Sequence, residues 1–236
     1  MTEQELRRRA ISTMEGWLGW SEANGKFKAI IDLYNTQQPL PRGYPMKYTD
    51  EWCAACVTAA GISAGLQDII LPECSCSKML ELYRERGQWV EDDAYVPQEG
   101  DLILYDWEDS GTGDNLGAPN HVGMVAGVTG STIRVIEGNK GEAVALRTLA
   151  VNGRYIRGYC LPDYRGKAGE PTVSYEQWVQ YMERYRRELA AQQATMPELL
   201  QEAMTMGLTD GCRPRDLVTR EEAAVMARAA AKVSGT

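Results

Sequence analysis

The order of patterns along the chain predicts an α+β domain, with helices first and an antiparallel sheet after them. Residues 3–65 place apolar side chains at helical spacing, whereas from Pro97 onward apolar and polar residues alternate as they do in strands. The 236 residues are 44% hydrophobic, which is the composition of a folded globular chain. Because helices and strands are segregated, we expect the sheet to pack against the earlier helices.

Three helices are predicted in the first part of the chain. Residues 3–18 form an amphipathic pattern, and residues 29–34 form a second, short one. A loop rich in Pro and Gly then leads into YTDEWCAACVTAAG, where a third helix begins. Thr49 or Asp50 can cap this helix, and Gly61 or Gly65 lies near its end. We expect this cysteine-bearing helix to be the central element of the domain.

Four strands are predicted next, at 102–105, 122–128, 132–137 and 154–161. The composition changes after Tyr164, which indicates a domain of residues 1–164, a linker at 165–171 and a helical segment at 172–236. The last segment is too small to bury a robust core alone. We expect it to pack on the first domain or on another copy of the chain.

Charge and hydropathy exclude some classes of partner. The net charge of -8 argues against nucleic acid, because a phosphate backbone requires a basic surface. No segment is apolar over a bilayer-spanning length, and the N-terminus MTEQELRRRA lacks the apolar core of a Sec-type signal. We therefore expect a protein that is made in the cytosol and does not bind membranes. In that compartment the six cysteines are expected to be reduced thiols.

Cys53 and His121 are the candidate catalytic pair. Cys53 falls in the first turn of the third helix, where free backbone N–H groups and the helix dipole favour a thiolate. His121, the single histidine, opens a strand in which Gly123 and Gly127 on the same face leave room for another element. A cysteine helix packed on that face would bring sulfur and imidazole within hydrogen-bonding reach. The alternatives are a buried core cysteine and a structural histidine.

Glu137 is the candidate partner of the histidine, and the hairpin register decides whether it can act. A three-residue loop at 128–130 places Glu137 opposite His121, whereas a two-residue loop at 129–130 turns the carboxylate to the other face. Only the first register lets the carboxylate accept the imidazole N–H and fix its tautomer. Asn139 shares this face if the strand continues, and could support or partly replace Glu137.

Two metal sites are possible alternatives. A zinc site could use CxxC and CxC pairs, although their spacing fits no common zinc finger; the ligands would be Cys53, Cys56, Cys74 and Cys76. The loop YDWEDSGTGDN could hold calcium, although it lacks the ligand spacing of an EF-hand; the ligands would be Asp106, Asp109, Asp114 and Asn115. We expect a solvated turn at this loop and no required cofactor.

Four motifs in order resemble the CHAP domains (cysteine, histidine-dependent amidohydrolase/peptidase), especially those of bacteriophage and prophage endolysins. They are YTDEWCAACV, VPQEGDLILYDWEDSGTGDN, PNHVGMV and VIEGNKGEAV, and RYIRGYCLPDY closes the domain. The resemblance implies a papain-like fold that hydrolyses an amide bond of peptidoglycan, as an N-acetylmuramoyl-L-alanine amidase or an endopeptidase. It also implies that the protein waits in the host cytoplasm until a holin opens the membrane, and some relatives bind calcium.

The same resemblance implies a role for each site residue. Cys53 attacks the carbonyl, His121 transfers the proton, and Glu137 orients His121 with Asn139 in support. The backbone N–H of Cys53 and a second donor, for which Tyr48 is a candidate, would bind the oxyanion. The rival interpretation is a non-catalytic wall-binding or interaction module on the same fold. Such a module would be expected to lose one of the three residues, whereas this chain has Cys, His and Glu.

The C-terminal sequence MPELLQEAMTMGLTDGCRPRDLVTREEAAVMARAA resembles about one short unit of a surface-layer homology repeat. The resemblance implies binding to a wall polymer. The alternative is a homo-oligomer formed through an apolar stripe, which consists of Leu199, Leu200, Ala203 and Met206. Thr219 and Glu222 match a capping box at the start of a further helix, which says nothing about binding.

Overall fold

The structure is a computed structural model that describes residues 1–92, 94–112, 114–169, 175–209, 211–212 and 223–228. The chain divides into two compact units, Met1–Pro171 and Thr172–Thr236. The helices described in the first unit are α1 (Glu3–Glu15), α2 (Lys28–Asn35), α3 (Cys53–Ala64), α4 (Cys76–Glu85) and α5 (Tyr164–Ala168), with a 3-10 turn at Pro41–Gly43.

A single antiparallel sheet forms the other layer of the first unit. Its strands are β1 (Trp89–Val90), β2 (Leu102–Tyr105), β3 (His121–Thr129), β4 (Thr132–Glu137), β5 (Ala145–Ala150) and β6 (Ile156–Cys160). They are hydrogen-bonded in the order β1-β6-β2-β3-β4-β5. Helices followed by an antiparallel sheet confirm the predicted α+β class.

Four elements of the first unit were not predicted from the sequence. The helix α4 and the strands β1 and β5 were not predicted, since β1 has two residues and β5 is a half-exposed edge strand without a strong apolar pattern. The short helix α5 occupies part of the predicted linker, and the Asp163 side chain accepts from the Gly166 N–H at its start. Local capping therefore forms a helix where Gly and Pro content suggested an extended connection.

The helix α3 is buried on nearly all sides, which confirms its predicted central position. Small residues such as Ala55 and Ala59 let α1, α2 and the sheet approach it closely. The predicted cap at Thr49 or Asp50 is wrong, because Trp52 occupies the N-cap position without a side-chain cap. The Asp50 carboxylate instead accepts from the Lys47 N–H at 2.8 Å. Gly65, in the left-handed conformation, ends the helix as predicted.

The two faces of the sheet contact different clusters of buried side chains. On the face covered by α3 lie Leu102, Leu104, Val122 and Met124. On the opposite face lie Ile103, Tyr105, Val125, Val135 and Tyr159. His121 pairs with Tyr105 and its ring lies 5.9 Å from the Tyr105 ring, so it projects on the face away from α3. The prediction that α3 packs on the glycine-lined face is therefore wrong.

The second unit contains the helices α6 (Tyr175–Ala190) and α7 (Pro197–Thr205), and residues 223–228 are also helical. In the predicted apolar stripe, Leu199 and Met206 are exposed. The proposed capping box of Thr219 and Glu222 lies outside the described residues. Among the helices that the structure describes, none combines the length and apolarity needed to span a bilayer.

Candidate active site

The nucleophile candidate Cys53 is the first residue of α3, and His121 is the first residue of β3. Sulfur and imidazole meet where these two elements begin, although α3 covers the other face of the sheet. The pKa of the Cys53 thiol lies well below its usual value, first through a hydrogen bond with Cys76 and then through one with His121, both acting against burial. The site therefore favours a thiolate at Cys53.

His121 is held between the thiol and a buried carboxylate. Its Nε2 atom lies 3.2 Å from Oε2 of Glu137, which has no exposed surface. Burial disfavours the imidazolium, but hydrogen bonds to Cys53 and Glu137 outweigh it and raise the pKa of His121 to about 9. Since Nε2 faces the carboxylate, Nδ1 is the nitrogen left for the sulfur. The arrangement favours a thiolate and imidazolium pair.

The hairpin of β3 and β4 has neither of the two registers considered from the sequence. Its loop is Gly130 and Ser131, with Thr129 paired to Thr132, and Glu137 lies opposite Gly123. Ala126 is an extra residue, because Val125 pairs with Val135 whereas Gly127 pairs with Arg134. The predicted direct pairing of His121 with Glu137 is wrong, but both side chains share one face as diagonal neighbours.

The bulge at Ala126 is what brings the carboxylate to the histidine. If the register at Thr129 and Thr132 continued without it, Met124 would lie opposite Glu137 and the carboxylate would point toward α3. The bulge also moves Gly127 to the other face from Gly123. The sequence prediction had placed both glycines beside His121.

Gly123 gives Glu137 the space to cross to His121. A Cβ atom at position 123 would lie 2.5 Å from Cγ1 of Val135 and 2.7 Å from Cγ of Glu137. Gly138 has a similar role on the other side, since a Cβ there would lie 2.4 Å from Cβ of Cys56. Cys56 is fully buried and burial raises its pKa, so it is a core residue.

Arg147 on β5 is a site residue that the sequence analysis missed. Its Nε atom donates to Oε1 of Glu137 at 2.5 Å, so the two carboxylate oxygens bind Arg147 and His121 separately. Burial would raise the pKa of Glu137, but its hydrogen bonds to His121 and Arg147 hold it below the usual value. The available signal was the arginine among apolar residues in ALRTLA, whose strand was not predicted.

An aromatic group lies beside the histidine. The Trp107 ring stacks on Tyr105 at 4.7 Å between centroids and lies 5.9 Å from the His121 ring. The Arg147 guanidinium lies 4.6 Å from the centroid of Trp107. Trp107 is 37% exposed, so one part of the site is both apolar and open to solvent.

Asn139 is not part of the strand that ends at Glu137. It has a φ of 56°, which turns the chain, and its side-chain amide donates to the carboxylate of Glu51. Glu51 lies two residues before Cys53. The strand β4 ends at Glu137, so the condition under which Asn139 would share the face of Glu137 is not met. Asn139 instead connects the end of β4 to the segment that enters α3.

Tyr48 does not offer its hydroxyl to an oxyanion in this structure. Its O–H group donates to Oδ1 of Asp32 at 2.7 Å, and this hydrogen bond raises the pKa of Tyr48. A phenol has one proton to donate, so the predicted role is corrected. The backbone N–H of Cys53 is still a candidate donor to an oxyanion, because the first N–H groups of a helix lack intrahelical acceptors.

The candidate metal ligands are distributed over several places. Cys74 accepts a hydrogen bond from Arg42, and Cys56 lies against Gly138. In the acidic loop, Asp106 accepts from the Glu108 N–H and Asn115 from the Gly117 N–H. Within the part of the chain that the structure describes, no three His, Cys, Asp or Glu residues are grouped as a metal site.

Comparison with known proteins bears on the first unit. Residues 43–139 match the CHAP domain family. This match contains Cys53, His121 and Glu137, which the geometry brings together, as well as Asn139. It covers less than half of the chain. No curated protein matches the chain.

Two solved structures are similar to this chain at a low level. One is the crystal structure of Ly7917 with the hydrolyzing product of MDP, at 17% identity and a TM-score of 0.32, covering 47% of this chain and 53% of that one. The other is the crystal structure of Ly7917, at 14% identity and a TM-score of 0.34, covering 66% of this chain and 62% of that one. This chain therefore spans between about half and two thirds of those chains.

Proposed function

We propose that this protein is a peptidoglycan hydrolase that cleaves an amide bond of the bacterial cell wall with Cys53 as nucleophile. The observation that supports it most is the buried sulfur of Cys53 beside an imidazole whose Nε2 lies 3.2 Å from the Glu137 carboxylate. These residues lie inside the segment that matches the CHAP domain. Acyl transfer from an amide requires a nucleophile such as a thiolate, a proton donor, and a group that orients the donor.

In the proposed reaction, the Cys53 thiolate attacks the amide carbon and the carbonyl oxygen becomes an oxyanion. The backbone N–H of Cys53 donates to this oxygen. The His121 imidazolium then gives its proton to the leaving nitrogen, the C–N bond breaks, and a thioester with Cys53 remains. Neutral His121 next takes a proton from water, which attacks the thioester and releases the acid and the thiolate.

Glu137 acts through His121 and does not contact the substrate in this scheme. Its carboxylate accepts from Nε2, which directs Nδ1 toward the sulfur and stabilises the imidazolium. Arg147 holds the other carboxylate oxygen. Asn139 supports the site from a different position, because its amide binds Glu51 next to the start of α3.

We further propose that the protein is an endolysin of a bacteriophage or prophage. It would act as an N-acetylmuramoyl-L-alanine amidase or as an endopeptidase. The motif resemblance supports this proposal. The two activities differ in the bond they cut, so mass spectrometry of the released muropeptides distinguishes them. A new free amine on L-alanine together with a new free carboxyl on the lactyl group of muramic acid indicates the amidase.

The test of the proposed function is turbidity loss of purified Gram-positive cell walls with wild-type protein, Cys53→Ala and Cys212→Ala. Cys212 is an exposed cysteine of the second unit, so its replacement controls for the loss of a thiol. We expect lysis by wild type and Cys212→Ala and none by Cys53→Ala. If Cys53→Ala lysed the walls as fast as wild type, Cys53 would be ruled out as the nucleophile. Binding to walls by all three proteins without lysis would favour the non-catalytic module.

For the segment 172–236 we propose binding to a wall polymer. The resemblance to a surface-layer homology unit supports this, and so does a set of exposed aromatic side chains along α6, which are Tyr175, Trp178, Tyr181 and Tyr185. Such rings can stack on the apolar faces of sugars. Self-association through α7 is the alternative, and the oligomeric state in solution distinguishes it.

A further inference from the structure

The active site contains a second thiol that the proposed mechanism does not use. The sulfur of Cys76 lies 3.7 Å from the sulfur of Cys53, and both residues are buried. Each is the first residue of its helix, α3 for Cys53 and α4 for Cys76. Both sulfurs therefore belong to first-turn residues, and the free N–H groups and the positive dipole end of a helix start favour negative charge.

Hydrogen bonds hold the turn that carries Cys76 against α3. The Thr58 hydroxyl donates to the Glu73 carbonyl oxygen at 2.7 Å and accepts from the Glu73 N–H at 2.9 Å. The Glu73 carboxylate in turn accepts from the backbone N–H groups of Cys74 and Ser75. Thr58 and Cys53 belong to the same helix, so the distance between the two sulfurs is set by a connected, buried framework.

The surroundings decide which sulfur has the proton. Cys53 interacts with the His121 ring, whose positive charge stabilises an anion at that sulfur. The hydrogen bond with Cys53, and after it burial, instead raise the pKa of Cys76 well above its usual value. The pair therefore has one negative charge, on the sulfur of Cys53, and one S–H proton, on the sulfur of Cys76.

We propose that Cys76 is a catalytic residue of this site, whose S–H group donates a hydrogen bond to the Cys53 thiolate and keeps the nucleophile ionised. The proposal deepens the proposed function and rests on it. The donor acts on the sulfur and not on the substrate. It releases the sulfur as the C–S bond forms, and no atom or electron is transferred from Cys76.

The hydrogen bond has opposite effects on the amount and on the reactivity of the thiolate. Removing the donor lowers the fraction of thiolate at acidic pH, but the thiolate that remains is more basic and so more nucleophilic. We expect Cys76→Ala to move the acid limb of reactivity up by about one pH unit, which is about tenfold less thiolate below the midpoint. At high pH its rate should exceed the wild-type rate by ~threefold.

The experiment is alkylation of full-length protein by iodoacetamide over a pH series, with the rate at Cys53 followed by peptide mass spectrometry. This readout needs no peptidoglycan, so it can fail or succeed independently of the proposed function. Cys76→Ser keeps a donor, since a hydroxyl replaces the thiol, and should stay near the wild-type midpoint. Cys160→Ala removes a different buried thiol, on β6, and should leave the midpoint unchanged.

Thermal melts of the variants establish that each one is folded before its reactivity is compared. An unchanged midpoint in Cys76→Ala would overturn the proposal. So would an equal shift in Cys76→Ser and Cys76→Ala, because the effect would then come from packing and not from the donor. If Cys76→Ala does not fold, Cys76→Val, which fills more of the volume but has no donor, takes its place: an upward shift of about one unit supports the donor, and an unchanged midpoint contradicts it.

Discussion

Glu137 lies opposite Gly123 in the ladder of β3 and β4, and its carboxylate reaches His121 diagonally across the strand pair. The extra residue Ala126 sets this register, and the missing side chain at Gly123 leaves the path open. The triad geometry therefore depends on a bulge and a glycine that do not themselves take part in the chemistry.

Gly123→Ala should disturb the site more than its small size suggests. The added Cβ would lie 2.7 Å from Cγ of Glu137, so the carboxylate must move away from His121. Overpacking of this kind costs about 1–3 kcal/mol of unfolding free energy. We expect wall lysis to fall by about 10²-fold, as for other misplaced catalytic groups.

The matched control for that substitution is Gly127→Ala on the same strand. The nearest atom to a Cβ there is Oε1 of Glu99 at 3.6 Å, which is an ordinary contact. This variant should melt within a few degrees of wild type and retain lysis. Full activity in Gly123→Ala, or equal losses in both variants, would contradict the role of Gly123.

The pH profile of lysis should be bell-shaped and broad, with its alkaline limb above the usual histidine range. In the proposed mechanism the active form has a Cys53 thiolate and a protonated His121. Because the pKa of His121 is raised to about 9, the imidazolium persists through neutral pH, and activity should fall as the pH rises through about 9. The acid limb should lie below the usual range of a thiol, since the pKa of Cys53 is lowered.

Initial rates measured at constant ionic strength check this profile. An alkaline midpoint near the ordinary histidine value of about 6.5 would show that the ion pair with Cys53 and Glu137 does not form. Glu137→Gln removes the negative charge behind the ring, so its alkaline midpoint should be lower than that of wild type.

Arg147 should influence the pKa of His121, because both side chains bind the Glu137 carboxylate. Replacing Arg147 with Met removes a positive charge near Glu137 and His121, which should raise the pKa of His121 and move the alkaline limb upward. Losing a hydrogen bond to a charged group should also lower lysis by about tenfold. Arg147→Lys keeps the charge and should leave the alkaline limb near its wild-type position.

A merely structural role for Arg147 would predict a different pattern. In that case Arg147→Met would lower the melting temperature and the amount of active protein without moving either limb. Titration of the His121 ring by NMR in the Met and Lys variants separates the two explanations directly, because the chain has one histidine.

The aromatic side chains of α6 should contribute to wall binding if the proposal for residues 172–236 holds. In the full-length Cys53→Ala background, which prevents lysis, replacing both Trp178 and Tyr181 with Ala should weaken co-sedimentation with cell walls by about tenfold. Gln180→Ala, at an exposed position of the same helix, is the control. Unchanged binding in the double variant would contradict the proposal.

The helix with Cys53 and the strands with His121 and Glu137 can be predicted from sequence, because these features follow from residues close together in the chain. A helix start and an alternating strand are local patterns, and the four motifs in order indicated the CHAP domain. The strand β5 was not predicted because its residues alternate only between exposed and half-buried. Arg147 was missed together with it.

Local patterns by themselves therefore determined which residues are the candidates for the chemistry and on which type of element each one lies. Tertiary structure decided the strand register that directs Glu137 to His121. It also decided that two helices begin at the same place, which puts Cys76 beside Cys53, and that the Tyr48 hydroxyl donates to Asp32. These outcomes depend on contacts between residues far apart in sequence. A one-residue bulge or the packing of one helix on another changes which side chains meet, and no short window of sequence contains that information.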